Sequence, residues 1–394
     1  MREVVICAAR RTPIGKFLGG LSSMTPADLG SSVVPAVLTD AGLAPTSVDE
    51  LIFGCGRQAG SGPNVARQVA IRSGLPHTST AVTLNMACGS GLLSIIEGRN
   101  SIARGESDIA VVGGTESMSR LPYYLEEARN GYRLGHGQLV DGMYRDGFHC
   151  PMADQLMGAT AENLADEYEI SREEQDTYAV ESQRRCEVAR MEKRFVDEIV
   201  PVEMPGRKGP VVIAEDEHPR DGVTIDSMRK LKPVFRDGGT VHPGNSSGIT
   251  DGAAALVLAS EGVARDLEMP ILARVGASAR AGVEPSRMGI GPVPAVGKLL
   301  ERTGRAIGDY DLIELNEAFA AQVIACDREL RLDPDKLNVN GGAIALGHPI
   351  GATGARIVIT LLHELRRRGG GLGLATLCIS GGQGLALELA VHGS

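Results

Sequence analysis

The chain has 394 residues with 51 Gly, 6 Phe, 7 Tyr and no Trp, yet 43% of it is apolar, so its core must be built from Ala, Val, Leu and Ile. The glycines follow no Gly-X-Y period and 23% of residues are charged, which excludes collagen and disorder; such a length holds two or three domains. A net charge of −9 argues against generic nucleic-acid binding, which needs a basic face, but leaves room for an anionic small ligand.

Apolar runs alternate with helical patterns from the start. Val4–Ala8 reads as a strand, Pro26–Ala41 as a helix, Glu50–Phe53 as a strand and Asn64–Ser73 as a helix. Ala81–Asn85 is again a strand, Ser90–Arg104 a helix and Asp108–Gly113 a strand. This alternation predicts an α/β fold with a parallel sheet covered on both faces. From about Ser119 to Thr250 the texture changes. Tyr123–Gly147 is loop-like and rich in Gly, Tyr and Arg, and Ala159–Lys193 is a long charged helical stretch. Inside it, Ser171 with Glu174 three residues on forms a capping-box pattern. Between Gly206 and Thr240, Arg207, Lys208, Arg220, Arg229, Lys230, Lys232 and Arg236 slightly outnumber the acids, either as a solvated loop or as a patch for an anionic ligand. Gly252–Leu258 then resumes as a buried strand.

The second half echoes the first, a pattern that points to duplication. Val5–Arg10 resembles Val275–Arg280 at an offset of 270, and Asp49–Ile52 resembles Tyr310–Ile313 at 261. Thr83–Asn85 resembles Asn338–Asn340 at 255, and Val111–Gly114 resembles Cys378–Gly382 at 268. The order is kept and the drift is small, which predicts two similar α/β halves with roughly 119–250 inserted between them.

Four places carry chemistry. Cys88 sits in Leu84-Asn-Met-Ala-Cys-Gly-Ser-Gly91, between a strand and a helix. Glycines 89 and 91 let the chain turn sharply there, and the positive end of the helix favours a thiolate nucleophile. The competing reading is a buried structural cysteine. His348, in Gly347-His-Pro-Ile-Gly351, occupies the matching turn of the second half at an offset of 260. Two such turns meet near a pseudo-twofold axis, where a cysteine and a histidine can form a thiolate–imidazole pair. Cys378 ends the last strand before the Gly-rich turn Ser380–Gly384, whose backbone N–H groups can converge on an oxyanion. Asn316 and Glu317, in Glu314-Leu-Asn-Glu-Ala-Phe-Ala320, end another strand, and the amide of Asn316 can hold a water or a carbonyl.

Other chemistries find no footing. The Gly-rich turns lack the Gly-Lys-Ser/Thr of a phosphate loop, no Gly-x-Gly-x-x-Gly opens a first βαβ unit, and no Gly-x-Ser-x-Gly elbow occurs. The histidines show no metal-ligand spacing. Seven cysteines, widely spaced and without Cys-x-x-Cys, read as reduced thiols of a cytosolic protein. The N-terminal apolar run is too short for a signal peptide, and nothing approaches a membrane span.

In this order and at these places, the motifs Asn85-x-x-Cys88-x-Ser90-Gly91, Asn316-Glu-Ala-Phe319, Gly347-His-Pro-x-Gly351-x-x-Gly354 and Cys378-x-Ser380-x-Gly382, the last against a family pattern Cys-x-Gly-x-Gly, resemble those of the thiolase family. Arg10-Arg-Thr-Pro-Ile-Gly15, Thr160-Ala-Glu-Asn163 and Gly244-Asn-Ser-Ser-Gly248 extend the resemblance over essentially the whole chain. It implies a layered α-β-α-β-α core made of two halves, 1–118 with 251–270 and 271–394. Residues 119–250 would form a loop domain for CoA binding and tetramerisation, with Tyr123–Gly147 as the tetramerisation loop. It implies an acyltransferase acting on acetyl-CoA, CoA and acyl-CoA thioesters as substrates, without cofactor or metal, as a cytoplasmic homotetramer that meets neither nucleic acid nor membrane. Acetoacetyl-CoA thiolysis or condensation is the first reading. A longer-chain degradative 3-ketoacyl-CoA thiolase and a non-catalytic acyl-CoA or lipid binder are the alternatives.

The resemblance also implies roles. Cys88 would carry the acyl group, His348 would take its proton and Cys378 would move the α-proton. Asn316 would fix a water at the enolate oxygen, and the backbone N–H groups of Cys88 and Ser380 would hold the thioester oxyanion. Arg220, Ser227, Ser247 and Gly248 would bind CoA, with Met157, Phe235, Met288, Ala318 and Phe319 lining the pantetheine tunnel. Ser380 stands where the family pattern has Gly, and a positive φ there would strain it. Leu156 stands before Met157 where short-chain members often carry His, and His242 and Pro243 replace small residues.

Overall fold

The computed structural model describes residues 2–205 and 209–392. Arg207 and Lys208 of the basic stretch lie outside the described residues. The principal strands are β1 (Val4–Arg11), β2 (Glu50–Gly54), β3 (Thr80–Leu84), β4 (Ile109–Ser117), β5 (Thr250–Ser260), β6 (Ala273–Gly282), β7 (Leu312–Leu315), β8 (Gly371–Ile379) and β9 (Gln383–Val391). The principal helices are α1 (Pro26–Asp40), α2 (Val65–Arg72), α3 (Ser90–Arg104), α4 (Met157–Glu167), α5 (Arg172–Met191), α6 (Ile225–Arg229), α7 (Pro292–Thr303), α8 (Ala320–Leu330) and α9 (Ile350–Arg367).

Among the described residues, the nine strands follow one path, β7-β8-β9-β6-β1-β5-β4-β2-β3, with Gly15–Lys16 pairing β5 beside it. The sheet is mixed rather than parallel. β2 runs parallel to β3 and β4, and β7 parallel to β8, while the strands between are antiparallel. The path reads as two copies of one half-sheet joined where β1 meets β6 through Val5–Arg274 and Ile6–Ala273.

Ladder registers test the duplication residue by residue. Ile52 pairs with Val82 and Val112, and Ile313 pairs with Leu374 and bridges to Leu337, giving offsets of 261, 255 and 262. β1 bulges between Ile6 and Ala8, and β6 bulges between Val275 and Ser278, the same place at the offset of 270. Three of the four correspondences read from sequence therefore hold. The fourth, Val111–Gly114 with Cys378–Gly382, is out of register: Gly114 pairs with Gly54 as Thr376 pairs with Leu315, so Thr376 is its counterpart. The two Gly-Gly pairs do different work. Gly114 lies in mid-strand, where a Cβ would stand 1.9 Å from the Gly351 carbonyl oxygen; Gly381 and Gly382 make a turn with φ of 89° and 84°.

Strand alternation sorts side chains into layers. Val5 and Cys7 of β1 pack outward with α1 and α2, whereas Val4 and Ile6 pack inward with α3 and α9. In the second half Leu385, Leu387 and Leu389 of β9 face the same inner layer, and Ala386 faces α7 and α8. The stack is α-β-α-β-α, as the resemblance implied. α9 is buried at every position from Ile350 to Leu362, as suits a helix between two sheets.

The two central helices meet at their N-terminal turns. A Cβ on Gly91 would stand 2.8 Å from the Gly351 oxygen and 2.9 Å from the Ala355 nitrogen, and one on Gly354 would stand 2.2 Å from the Leu92 nitrogen. Only glycine permits this approach.

The charged stretch Ala159–Lys193 is two helices, not one. Tyr168 ends α4, Glu169 takes φ 51°, and Ser171 caps α5 through the reciprocal box with Glu174. β1 anchors the inserted segment through buried Arg11, which pairs with Glu198 at 2.8 Å and Asp216 at 2.6 Å. Among the described residues, no helix is long and apolar enough to cross a membrane.

Candidate active site

The turn that carries Cys88 is built by its own motif. Asn85 Oδ1 accepts the Ala87 N–H at 3.0 Å, and Asn85 Nδ2 donates to the Gly56 carbonyl at 3.2 Å. Ser90 Oγ accepts from the Met86 N–H at 2.8 Å and donates to the Ala87 carbonyl at 2.7 Å. The sharp bend falls on Ala87, at φ 44°, and not on the glycines: Gly89 has φ −80° just ahead of α3. Gly89 serves closeness instead, since a Cβ there would stand 2.6 Å from Ile379 Cδ1. A non-glycine residue in the left-handed region beside a candidate nucleophile is strain of the kind found at functional sites.

His348 enters from the matching turn before α9. Its backbone N–H donates to Gly248 at 3.0 Å, and Nδ1 lies 2.6 Å from Thr353 Oγ1. Thr353 Oγ1 itself donates to the Pro349 carbonyl at 3.0 Å, so it accepts from Nδ1–H. That places the proton on Nδ1 and leaves Nε2, buried and without a protein partner, as the bare base.

Cys378 closes β8 opposite Gly384 and is 1% exposed. The backbone N–H groups of Ser380 and Cys88 favour the charged form of the Cys88 sulfur. Ser380 is not among the positive-φ residues, so the strain expected of Ser at this position does not arise. Asn316 ends β7, its N–H bonded to Thr376 at 3.0 Å, and both atoms of its side-chain amide are buried without a protein partner. Glu317 holds this segment. It accepts from Tyr178 at 2.9 Å, Ser182 at 2.7 Å, the Ile344 N–H at 3.1 Å and Asn338 at 3.2 Å.

A cavity of about 630 Å³ brings Cys88, His348, Cys378 and Ser380 together. Met157, Phe235, Met288, Ala318 and Phe319 line it, with Ser247, Gly248 and Arg220. Phe235 and Phe319 meet edge to face at 6.2 Å. Ser227 is not part of this lining: it is exposed and closes the capping box of α6, donating to the Thr224 carbonyl at 2.7 Å. Asn316 does not line the cavity either. Sequence reasoning missed Thr353, His218 and Arg57. Thr353 lies five residues past His348 and is reached only through the helical turn; His218 and Arg57 come from loops with no motif of their own.

Burial sets the electrostatics. It pushes the Cys88 thiol above its ordinary value, against the opposing pull of the Ser380 N–H, the Arg57 charge and the Cys88 N–H. This corrects the expectation that the helix terminus lowers it. Burial, with the nearby cations Arg356 and Arg57, takes His348 down to about 3, so the imidazole is neutral. Burial also holds Cys378 well above the ordinary thiol range, with Cys88 adding to it. The resting site is a neutral thiol beside a neutral imidazole, and ionisation needs a proton transfer inside the cavity. Among the described residues no three His, Cys, Asp or Glu side chains are arranged to hold a metal ion.

Residues 4–262 match the model of the thiolase N-terminal domain, and 269–391 match that of the thiolase C-terminal domain. The chain belongs to the thiolase family. It is 50% identical over 391 residues to an acetyl-CoA acetyltransferase of Pseudomonas aeruginosa, covering 99% of this chain and 100% of that one. It is 49% identical over 393 residues to a probable acetyl-CoA acyltransferase of Staphylococcus aureus, covering 100% of both. The crystal structure of a Bacillus anthracis acetyl-CoA acetyltransferase matches with a TM-score of 0.97 at 45% identity, over 99% of each chain. The human mitochondrial 3-ketoacyl-CoA thiolase matches with a TM-score of 0.96 at 43% identity, again over 99% of each. As a thiolase, the chain shares its fold with enzymes bearing both names.

Proposed function

We infer that the chain is a thiolase-type acyl-CoA C-acyltransferase, catalysing the reversible thiolysis and Claisen condensation of 3-ketoacyl-CoA thioesters, with acetoacetyl-CoA the shortest. The observation that carries this is the cavity whose lining brings Cys88, His348, Cys378 and Ser380 together. In thiolysis, Cys88 Sγ attacks the 3-keto carbon and its proton passes to His348 Nε2. The bond between C2 and C3 then breaks, leaving an acyl thioester on Cys88. The departing acetyl-CoA carbanion takes its proton from Cys378. Coenzyme A next gives its thiol proton to the Cys378 thiolate and attacks the thioester, Cys88 leaves and recovers its proton from His348, and the N–H groups of Cys88 and Ser380 stabilise the oxyanion of each addition. Condensation runs the same steps in reverse.

CoA would lie along Ser247, Gly248 and Arg220, with its pantetheine arm past Met157, Phe235, Met288, Ala318 and Phe319. Ser227 would act from the rim. Asn316, whose amide has no protein partner, would order a water facing the enolate. Residues 119–250 would serve as the loop domain, the protein being a cytoplasmic homotetramer that needs no cofactor.

Incubation with acetyl-CoA should release free CoA and leave an acetyl group on the peptide holding Cys88. Cys88→Ser should abolish the adduct; Cys378→Ser should keep it while losing condensation. Absence of an adduct on the unaltered protein would overturn this reading.

A further inference from the structure

The cavity holds a charged residue that none of the catalytic motifs explains. Arg57 follows β2, is 5% exposed, and lines the cavity with Cys88 and His348. Its Nε is buried without a hydrogen-bond partner. The nearest acid, Glu116, spends its carboxylate on the N–H groups of Gly56 at 2.9 Å, Arg57 at 3.0 Å and Gly351 at 2.9 Å. The guanidinium therefore has a counter-charge nearby but no carboxylate to hold. The fold treats a purely structural arginine differently: Arg11 is equally hidden, and it meets both Glu198 and Asp216. Arg356, also short of partners, still pairs with Glu314 at 3.2 Å and lies outside the cavity lining.

The surroundings are shaped for this side chain. Tyr144–Phe148 is a π-helical turn over the cavity, a form frequent at functional sites. A Cβ on Gly147 would stand 2.4 Å from Arg57 Nε, so bare backbone covers one side of the guanidinium. Met118, Tyr144, Phe148 and Ile350 line the same cavity. Apolar walls around an unpaired guanidinium give little to a neutral chain end and much to a planar carboxylate, which the guanidinium fork binds through two parallel hydrogen bonds. Arg57, Cys88 and His348 line one cavity, so such a group would share it with the reacting thioester.

We propose that Arg57 is a specificity-determining residue at the acyl end of the cavity, selecting 3-ketoacyl-CoA thioesters whose acyl chain ends in a carboxylate. This rests on the acyltransferase reading above. The test compares thiolysis of a six-carbon 3-ketoacyl-CoA with that of its counterpart bearing a terminal carboxylate. The full chain, Arg57→Leu and Arg57→Lys are assayed side by side. The unaltered enzyme should favour the carboxylate substrate in kcat/KM by about tenfold or more, as hydrogen-bonding sites do. Arg57→Leu should bring that ratio to one or below, and Arg57→Lys should leave it between the two. Poor folding cancels in the ratio. A ratio near one in the unaltered enzyme, or a ratio that Arg57→Leu does not change, overturns the proposal. Turnover of the neutral substrate in that case leaves the acyltransferase reading standing, whereas turnover of neither substrate overturns both.

Discussion

Gly354→Ala adds one methyl group at the crossing of α3 and α9. The new Cβ would stand 2.2 Å from the Leu92 nitrogen and 2.7 Å from Leu92 Cβ. Ordinary heavy-atom contacts begin near 3.5 Å, so the helices must part by roughly 1 Å. Backbone cannot rotate away as a side chain can, and overpacking of this kind costs about 1–3 kcal/mol. The same movement separates the turns that carry Cys88 and His348, and a misplacement of about 1 Å costs on the order of a hundredfold in rate. Gly297→Ala is the matched control: it lies exposed in α7 with nothing within 4 Å of the added carbon. There the same change should stabilise the helix by up to about 1 kcal/mol and leave the rate alone. Urea denaturation and initial thiolysis rates read both effects. A Gly354→Ala enzyme with the stability and rate of the unaltered protein would refute the view that helix contact positions the catalytic pair.

Ser380→Gly should leave thiolysis unchanged and cost about 0.4–1 kcal/mol of stability through a freer unfolded chain, because residue 380 is not in the positive-φ region; a rate rise of several orders would contradict this. Thr353→Val removes the oxygen that holds the proton on His348 Nδ1, and kcat should fall about ten- to a hundredfold, part of what general-base catalysis supplies. An unchanged pH–rate profile and kcat would show that Thr353 does not orient the imidazole. Burial raises the Cys88 thiol, so it keeps its proton through the ordinary thiol value and loses it only above. Its alkylation by iodoacetamide should therefore climb about tenfold per pH unit, as the thiolate fraction does, with no plateau below about pH 9. A plateau near neutral pH would mean a resting thiolate–imidazolium pair.

Much of the site was legible because its chemistry sits in local turns. Asn85, Cys88 and Ser90 are neighbours in sequence and bond to one another in the structure, so the motif and the turn are the same object. His348 and Cys378 were found by the same logic, each beside the end of a strand or the start of a helix. Reading went astray where a glycine's job depended on a distant partner. Gly89 and Gly91 read as hinges, yet they are spacers against Ile379 and α9, and Ala87 makes the bend. The helix-terminus argument for a low Cys88 pKa failed for a related reason, since burial by both halves outweighs a partial charge.

By itself the sequence determined the alternation of strands and helices, the duplication, and the residue types at the four turns. These are properties of short segments: period, capping and motif spacing act over a few residues. Tertiary structure decided what depends on the two halves meeting. The β1–β6 junction joins the half-sheets, and the glycine contacts of α3 and α9 bring Cys88 and His348 into one cavity. Enclosure by both halves then makes thiol and imidazole neutral and leaves Arg57 buried without a partner for its Nε, because desolvation is set by everything that packs around a group.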